Sequence, residues 1–266
     1  MFWPVLIIQR ISIFSDTVSI FVGADNQVFQ IPKGLLALHS GYFKNRFDNK
    51  EEDEKLSLPD VQPSVFAEFL SWLYFSDCLE VNGDSYFIFE VAQAWGVGEL
   101  IEAPGFQNWC MDIIRTYCKE PPEDYWLPLD TKDVATIYRD SSKYSKLRMF
   151  AAHSMACKSP FDKSQEGTER YKEWAKEWTT LLENVPDLIS DIARVAELEW
   201  NGTHPWDDEH RKAYLVDQVA PDQLWEEQIL AARSIEEIKA AATGNCIRSM
   251  IELAYIERKK GNSYPV

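Results

Sequence analysis

The chain has 266 residues, of which 45% are hydrophobic, and a formal net charge of −16. This length accommodates one large domain or two ordinary ones with a sizeable core, so we expect a soluble globular protein. The negative charge repels phosphate backbones and anionic lipid, which argues against direct binding to nucleic acid or membranes and favours protein partners, basic ones in particular.

The first 14 residues are apolar but do not resemble a targeting or spanning segment. They lack a basic start and a cleavage site, and they are too short to cross a bilayer. Their β-branched residues predict a strand that pairs with another strand. The candidate self-association residues in it are Val5, Ile7, Ile8, Ile11 and Ile13. Whether Met1 is the native start stays open.

Alternation of apolar and polar residues predicts a β-hairpin around residues 23–26. Pro32 then marks a change to helical spacing, with Lys33 and a run of leucines behind it. Ser40 is a good N-cap residue and predicts that a second short helix starts there, with Phe43 and Phe47 one turn apart on its inner face.

An acidic run at residues 51–54 predicts a solvated loop before a brief strand, "KLSL". A helix follows Pro63, and another covers "YFIFEVAQAW", where Gly96 and Gly98 are expected to stop it. From Phe106 the apolar spacing predicts an amphipathic helix up to Tyr117.

Residues 119–130 combine prolines and acids and predict a linker. Beyond it no strand is expected, and the sequence predicts helices throughout. They are placed at residues 131–139 and 145–158, from about Thr168, after Pro186, and at 221–233, 235–242 and 246–260.

The order of these elements resembles the BTB/POZ domain. The resemblance is carried by "VSIFVG", "SGYFKNRF", "LSLPDVQPSVFAEFLSWLYFSD" and "FEVAQAWGVGEL", and it covers residues 15–117. The family usually has a histidine before the lysine at the helix start, where this chain has Pro32. Residues 133–156 are similar to the tyrosine-then-Leu-Arg segment that follows the BTB domain in many proteins of filamentous fungi.

The resemblance implies an α+β fold class, with a BTB/POZ domain at residues 15–118 whose short sheet is flanked by helices. The linker at 119–130 then leads to an all-helical C-terminal region at 131–266. The family forms dimers or binds the cullin scaffolds of ubiquitin ligases, so the implied partners are a cullin or another BTB chain, and a homodimer is one expected state. The candidate partner interface is Phe47, Asn49, Glu51, Glu52, Tyr74 and Phe75.

Two details of the resemblance bear on the partner. Cullin-binding members typically place a hydrophobic residue two positions before a glutamate in the loop ahead of the third strand. Here Asn49 precedes Glu51, so this anchor is missing. Long-form dimers use an extra strand and a helix before the hairpin, and the residues before Ser15 suffice for a strand but hardly for both.

Catalytic and metal sites are not expected. The sequence has no G-x-S-x-G around Ser40, no Walker A motif and no H-E-x-x-H, so His39 and Ser40 are interpreted as a helix cap. A divalent-metal cluster could be formed by His204, Asp207, Asp208 and His210, although a polar surface loop explains them as well. No cofactor is predicted. Five cysteines without a C-x-x-C pair predict neither a disulfide framework nor a zinc knuckle.

Two further sequence features allow more than one interpretation. Tyr171, Trp174 and Trp178 could stack on bases or sugars, but their helical spacing favours a place in the core. The sequon at Asn201 would go unused in the reducing compartment, cytoplasm or nucleus, that the cysteines indicate.

Three functions are therefore open: an adaptor of a cullin-type ubiquitin ligase, a self-associating or transcription-associated scaffold, and an enzyme with its site in the helical half. The third is disfavoured because the glutamates of that half lack the Glu-x-x-His spacing of bundle metal sites. Zinc-finger spacing and a basic stripe are absent from the sequence, which counts against direct DNA binding.

Overall fold

The computed structural model describes residues 16–49, 56–75, 88–120, 127–161, 169–198 and 200–218. The chain divides into two compact units. The described residues up to 75 belong to the first unit, and those from 88 to 217 belong to the second. The predicted self-association residues, the acidic run and the three last predicted helices lie outside the described residues.

The first unit is built on a hairpin. Strand β1 (Thr17–Val22) pairs antiparallel with β2 (Gln27–Pro32), so that Ile20 lies opposite Phe29. The turn between them requires left-handed backbone at Gly23, with φ of 76°, and at Asn26, with φ of 53°, residue types that tolerate this conformation. The predicted hairpin is confirmed.

A third strand completes the sheet in a way that the sequence pattern does not reveal. Strand β3 (Leu56–Leu58) pairs parallel with β1, which gives the order β2-β1-β3. Ile20 and Val22 on β1 and Leu56 and Leu58 on β3 are all buried. The hydrophobic face that these four side chains share is what fixes the register of the strands.

Three helices of the first unit follow the predicted order. Helix α1 (Lys33–His39) begins directly after Pro32, α2 (Gly41–Asp48) follows it, and α3 (Pro63–Phe75) comes after β3. Phe66 and Phe69 on α3 are fully buried, and the Phe66 ring meets the Phe29 ring at 5.2 Å. Burying side chains of this size stabilises the unit by about 2 kcal/mol each.

The second unit begins with helices α4 (Ile88–Leu100) and α5 (Pro104–Lys119), which pack against each other. The prediction that Gly96 and Gly98 stop α4 is wrong, because the helix continues through both. A Cβ added at Gly96 would overlap the carbonyl oxygen of Asp140 and lie 3.2 Å from its carbonyl carbon. Glycine at position 96 thus permits close packing of α4 on the next part of the unit.

Five further helices complete the described part of the second unit. They are α6 (Thr131–Asp140), α7 (Lys146–Cys157), α8 (Glu169–Asn184), α9 (Pro186–Val195) and the short α10 (Arg211–Tyr214), which follows a 3-10 turn at Asp208–His210. The first two were predicted within one residue at both ends, and α8 and α9 were predicted to start within one residue of where they do; α10 was not predicted. No strand occurs in this unit within the described ranges.

Helix α4 contacts α6 as well as α5, and Leu127 and Leu129, at the end of the predicted linker, are buried. The domain boundaries at residues 118 and 131 stay a prediction. Within the described ranges, no helix is both long and apolar enough to cross a membrane.

Candidate interaction surfaces

The turn between α1 and α2 contains the histidine and serine that could have suggested catalysis. Ser40 is 2% exposed, and its hydroxyl accepts a hydrogen bond from the Phe43 backbone N–H at 3.2 Å. The His39 ring packs edge-on against Trp72, with ring centroids 5.3 Å apart, and burial lowers the pKa of His39 to about 4. The serine therefore caps α2, as predicted, and the histidine packs as a neutral aromatic residue.

Helix α2 presents two half-buried aromatic side chains, each beside a cation. The Tyr42 ring lies 5.1 Å from the Phe43 ring and 5.9 Å from the Arg46 guanidinium. Phe47 stacks on Phe43 at 6.3 Å, and the Lys33 ammonium lies 5.9 Å from the Phe47 ring. Aromatic and arginine side chains are enriched at protein interfaces, so this α2 surface has the composition of a binding site.

The structure places three side chains of the predicted partner interface. Phe47 is half-buried on the α2 surface, and Asn49 is the exposed C-cap residue of the same helix. Tyr74 is half-buried near the end of α3, and burial raises the pKa of its hydroxyl. Glu51, Glu52 and the side chain of Phe75 lie outside the described residues, so the predicted interface stays a prediction.

An arginine in the second unit gives a physical reason for the tyrosine-then-Leu-Arg pattern. The Arg148 guanidinium donates to the backbone oxygens of Tyr138 at 2.6 Å and Ser141 at 2.7 Å. It also lies 4.9 Å from the Tyr138 ring and pairs with Asp187 at 3.4 Å. The Tyr138 hydroxyl in turn donates to Asp191 at 3.0 Å. These contacts join α6, α7 and α9 into one body.

Asp130 and the buried Asp133 together cap the start of α6, a feature that the sequence patterns above do not predict. The Asp130 side chain accepts from the Asp133 N–H at 2.8 Å, while the Asp133 side chain accepts from the Asp130 N–H at 3.0 Å. Burial, followed by the charge of Asp130, raises the pKa of Asp133 to about 7, although hydrogen bonds with the backbone of Asp130 and of Phe89 oppose this shift. The D-x-x-D spacing is a capping-box pattern with aspartate in place of glutamate, so a signal was available.

Charged and polar side chains of α5 form hydrogen bonds with the residues after α9. Arg115 is 4% exposed and donates to the backbone oxygens of Trp206 at 2.9 Å and Asp207 at 2.8 Å. Asn108 exchanges two hydrogen bonds with the Val216 backbone, at 2.9 and 2.7 Å. The 200–217 segment therefore both covers polar side chains of α5 and supplies hydrogen-bond partners for them.

The predicted metal-ligand residues have other contacts. The His204 ring stacks on Trp206 at 4.8 Å, and the Asp207 carboxylate accepts from the His204 N–H at 2.8 Å. The Thr203 hydroxyl donates to the Trp200 carbonyl, so it must accept from the Nε2–H of His210, 2.8 Å away. No group of three or more histidine, cysteine or acidic side chains in the described ranges is arranged to hold a metal.

The aromatic stripe of α8 lies along the helix as its spacing predicts. Tyr171, Trp174 and Trp178 follow one another with ring centroids 6.0 and 6.1 Å apart. Trp178 is fully buried, while Tyr171 and Trp174 are half-buried. The structure thus places Trp178 in the core.

A comparison with protein families finds a match in the part of the chain that contains the hairpin, the helices α1 and α2, the parallel strand β3 and α3. The BTB/POZ domain model matches residues 10–104. These residues form a BTB/POZ domain. The match covers the sheet and helices of the first unit and extends through α4. No curated protein matches the chain. BTB/POZ domains are protein–protein interaction modules that also mediate dimerisation, so this chain carries a module for binding proteins.

Proposed function

We propose that the chain is a non-catalytic adaptor, in which the BTB/POZ domain binds a cullin scaffold of a ubiquitin ligase and the helical region binds a second protein. The observation that carries the proposal is the BTB/POZ domain itself, together with the aromatic and cationic α2 surface. Asn49 is the C-cap residue at the end of this surface. The resemblance to the BTB/POZ family implies that cullin-binding members have a hydrophobic residue at this position.

The experiment introduces a hydrophobic residue at position 49. Asn49 is exposed, so Asn49→Leu leaves the core intact. Binding of a cullin N-terminal fragment to the full chain is measured by calorimetry. A leucine that becomes buried in the complex contributes about 1.5 kcal/mol, so Asn49→Leu should tighten binding by about tenfold.

Asn45→Leu is the matched control, because Asn45 is also exposed and lies one turn earlier on α2. This control adds the same apolar surface without occupying the anchor position, and it should bind like the original chain. If neither the original chain nor Asn49→Leu binds the fragment, the ligase-adaptor function is excluded.

A self-associating scaffold is the second candidate, favoured by the edge of the sheet. Strand β2 is an outer strand in the order β2-β1-β3, and Val28 on it is 51% exposed. An edge strand offers backbone donors and acceptors to a further strand. The apolar residues Val5 to Ile13 would supply such a strand from a second chain.

Deletion of residues 1–14 tests this alternative. The self-associating scaffold predicts that the original chain has a dimeric mass and that the shortened chain is monomeric. An unchanged oligomeric mass after the deletion would count against strand exchange.

A further inference from the structure

A groove of about 670 Å³ runs along α8 where this helix meets α6. Its floor is apolar and consists of Ala135 from α6 with Leu181 and Val185 from the end of α8 and the residue after it. The carboxylates of Glu173 and Glu177 line it one helical turn apart, and both are exposed. The groove therefore combines a hydrophobic floor with an anionic rim.

Two polar side chains of the groove form hydrogen bonds within α8. The Thr180 hydroxyl donates to the Lys176 carbonyl at 2.9 Å, and the Asn184 amide donates to the Thr180 carbonyl at 2.9 Å. The Thr180 hydroxyl hydrogen and one Asn184 N–H are thus used within α8, while both side-chain oxygens can still accept hydrogen bonds. In the part of the chain that the structure describes, neither Glu173 nor Glu177 forms an ion pair.

The charge of the lining has the same sign as the charge of the whole chain. Two carboxylates and the Lys176 ammonium line the groove, which gives a local charge of −1 within a chain of −16. An occupant with arginine or lysine side chains would pair with the two carboxylates and donate hydrogen bonds to the Thr180 and Asn184 side-chain oxygens. An aliphatic side chain would cover the floor formed by Ala135, Leu181 and Val185.

We propose that this groove binds a short basic segment of a partner protein, with an aliphatic side chain on the floor and arginine or lysine at the rim. Between Glu173 and Val185 the groove extends for roughly 18 Å, enough for about five or six residues of extended peptide. The proposal rests on the proposed adaptor function, because it assigns the binding of the second protein to α6 and α8.

The probe is a pair of fluorescein-labelled peptides of equal length, one of alternating leucine and arginine and one of alternating leucine and glutamate. Fluorescence anisotropy is measured with the full chain. The basic peptide should bind and the acidic peptide should not. Glu177→Lys should weaken binding of the basic peptide by roughly tenfold, because an attractive ion pair becomes a repulsive one.

Glu183→Lys is the matched control. Glu183 is also exposed on α8 and lies outside the groove, so this substitution makes the same change in net charge. It should alter the affinity less than twofold. Ala135→Leu, which fills the floor without changing the charge, should also weaken binding.

Equal losses for Glu177→Lys and Glu183→Lys, or binding that is unaffected by Ala135→Leu, would show nonspecific attraction to a negative chain and overturn the proposal. Binding of the cullin fragment is measured on the same variants. If the cullin fragment fails to bind while the peptide results are as expected, the ligase-adaptor proposal is wrong and the groove proposal is supported. If the fragment binds but the basic peptide does not, the groove proposal alone is wrong.

Discussion

Gly96→Ala tests two explanations of Gly96: a position with room for a side chain, or one that must lack a side chain so that α4 can pack against Asp140. If position 96 were an ordinary interior position of α4 with open space beside it, alanine would favour the helix and raise the free energy of unfolding by about 1 kcal/mol. In the structure α4 continues past Gly96, and an added Cβ would overlap the backbone carbonyl of Asp140. The two explanations therefore predict opposite signs.

The size of the effect follows from the contact. Overpacking against a rigid neighbour costs about 3 kcal/mol at the upper end of the usual range, and a backbone carbonyl belongs there. Subtracting the helix-propensity gain of about 1 kcal/mol leaves a net loss of about 2 kcal/mol. For a domain of this size each kcal/mol lowers Tm by about 2–4 °C, so we expect a fall of about 4–8 °C.

Thermal unfolding followed by circular dichroism, together with urea unfolding, measures this loss on the full chain. Gly98→Ala is the comparison, because its added Cβ would lie 2.8 Å from Cγ of the Gln107 side chain, which has more freedom to move than a backbone carbonyl. We expect a smaller loss there. A Tm for Gly96→Ala that is equal to or above that of the original chain would refute the close approach of α4 to Asp140.

Three further substitutions test the fold around the candidate surfaces. Arg148→Ala removes two hydrogen bonds to backbone oxygens and the contact with the Tyr138 ring, so it should lower the free energy of unfolding by about 3 kcal/mol in urea titration. Arg148→Lys lacks the planar guanidinium group and should not recover this stability. Because the folded-state pKa of Asp133 is raised, the free energy of unfolding of the original chain falls as pH rises from about 4 to about 7. Asp133→Asn should therefore be more stable, relative to the original chain, at pH 8 than at pH 5. A difference in the free energy of unfolding that does not change with pH would contradict the raised pKa. Ser40→Ala removes the cap of α2 and should cost about 1 kcal/mol, and Ser40→Asp, which can still accept from the Phe43 N–H, should recover most of it.

Local signals in the sequence predict much of this fold. The hairpin follows from alternation and from turn residues that accept a positive φ, and α2 follows from the capping serine. Helix α5 follows from apolar spacing that repeats over about three turns. In each case the determining contacts lie within one element or between neighbours in the chain.

The features that sequence patterns missed depend on residues distant in the chain. The parallel pairing of β3 with β1 brings together strands separated in the chain by β2 and two helices, and the role of Gly96 depends on the position of Asp140. Arg115 looks like one charge of an amphipathic helix until residues near 206 cover it. The α8 groove likewise depends on Ala135, a small residue from another helix.

Light scattering on a sizing column tests most directly whether the chain works by binding other proteins. The purified chain, whose mass is 30.8 kDa, is measured over a range of concentrations and then with an equimolar cullin N-terminal fragment. We predict a stoichiometric complex with the fragment, or a dimeric mass for the chain alone if self-association is its role. A monomer at every concentration that also leaves the fragment unbound would contradict both proposed roles.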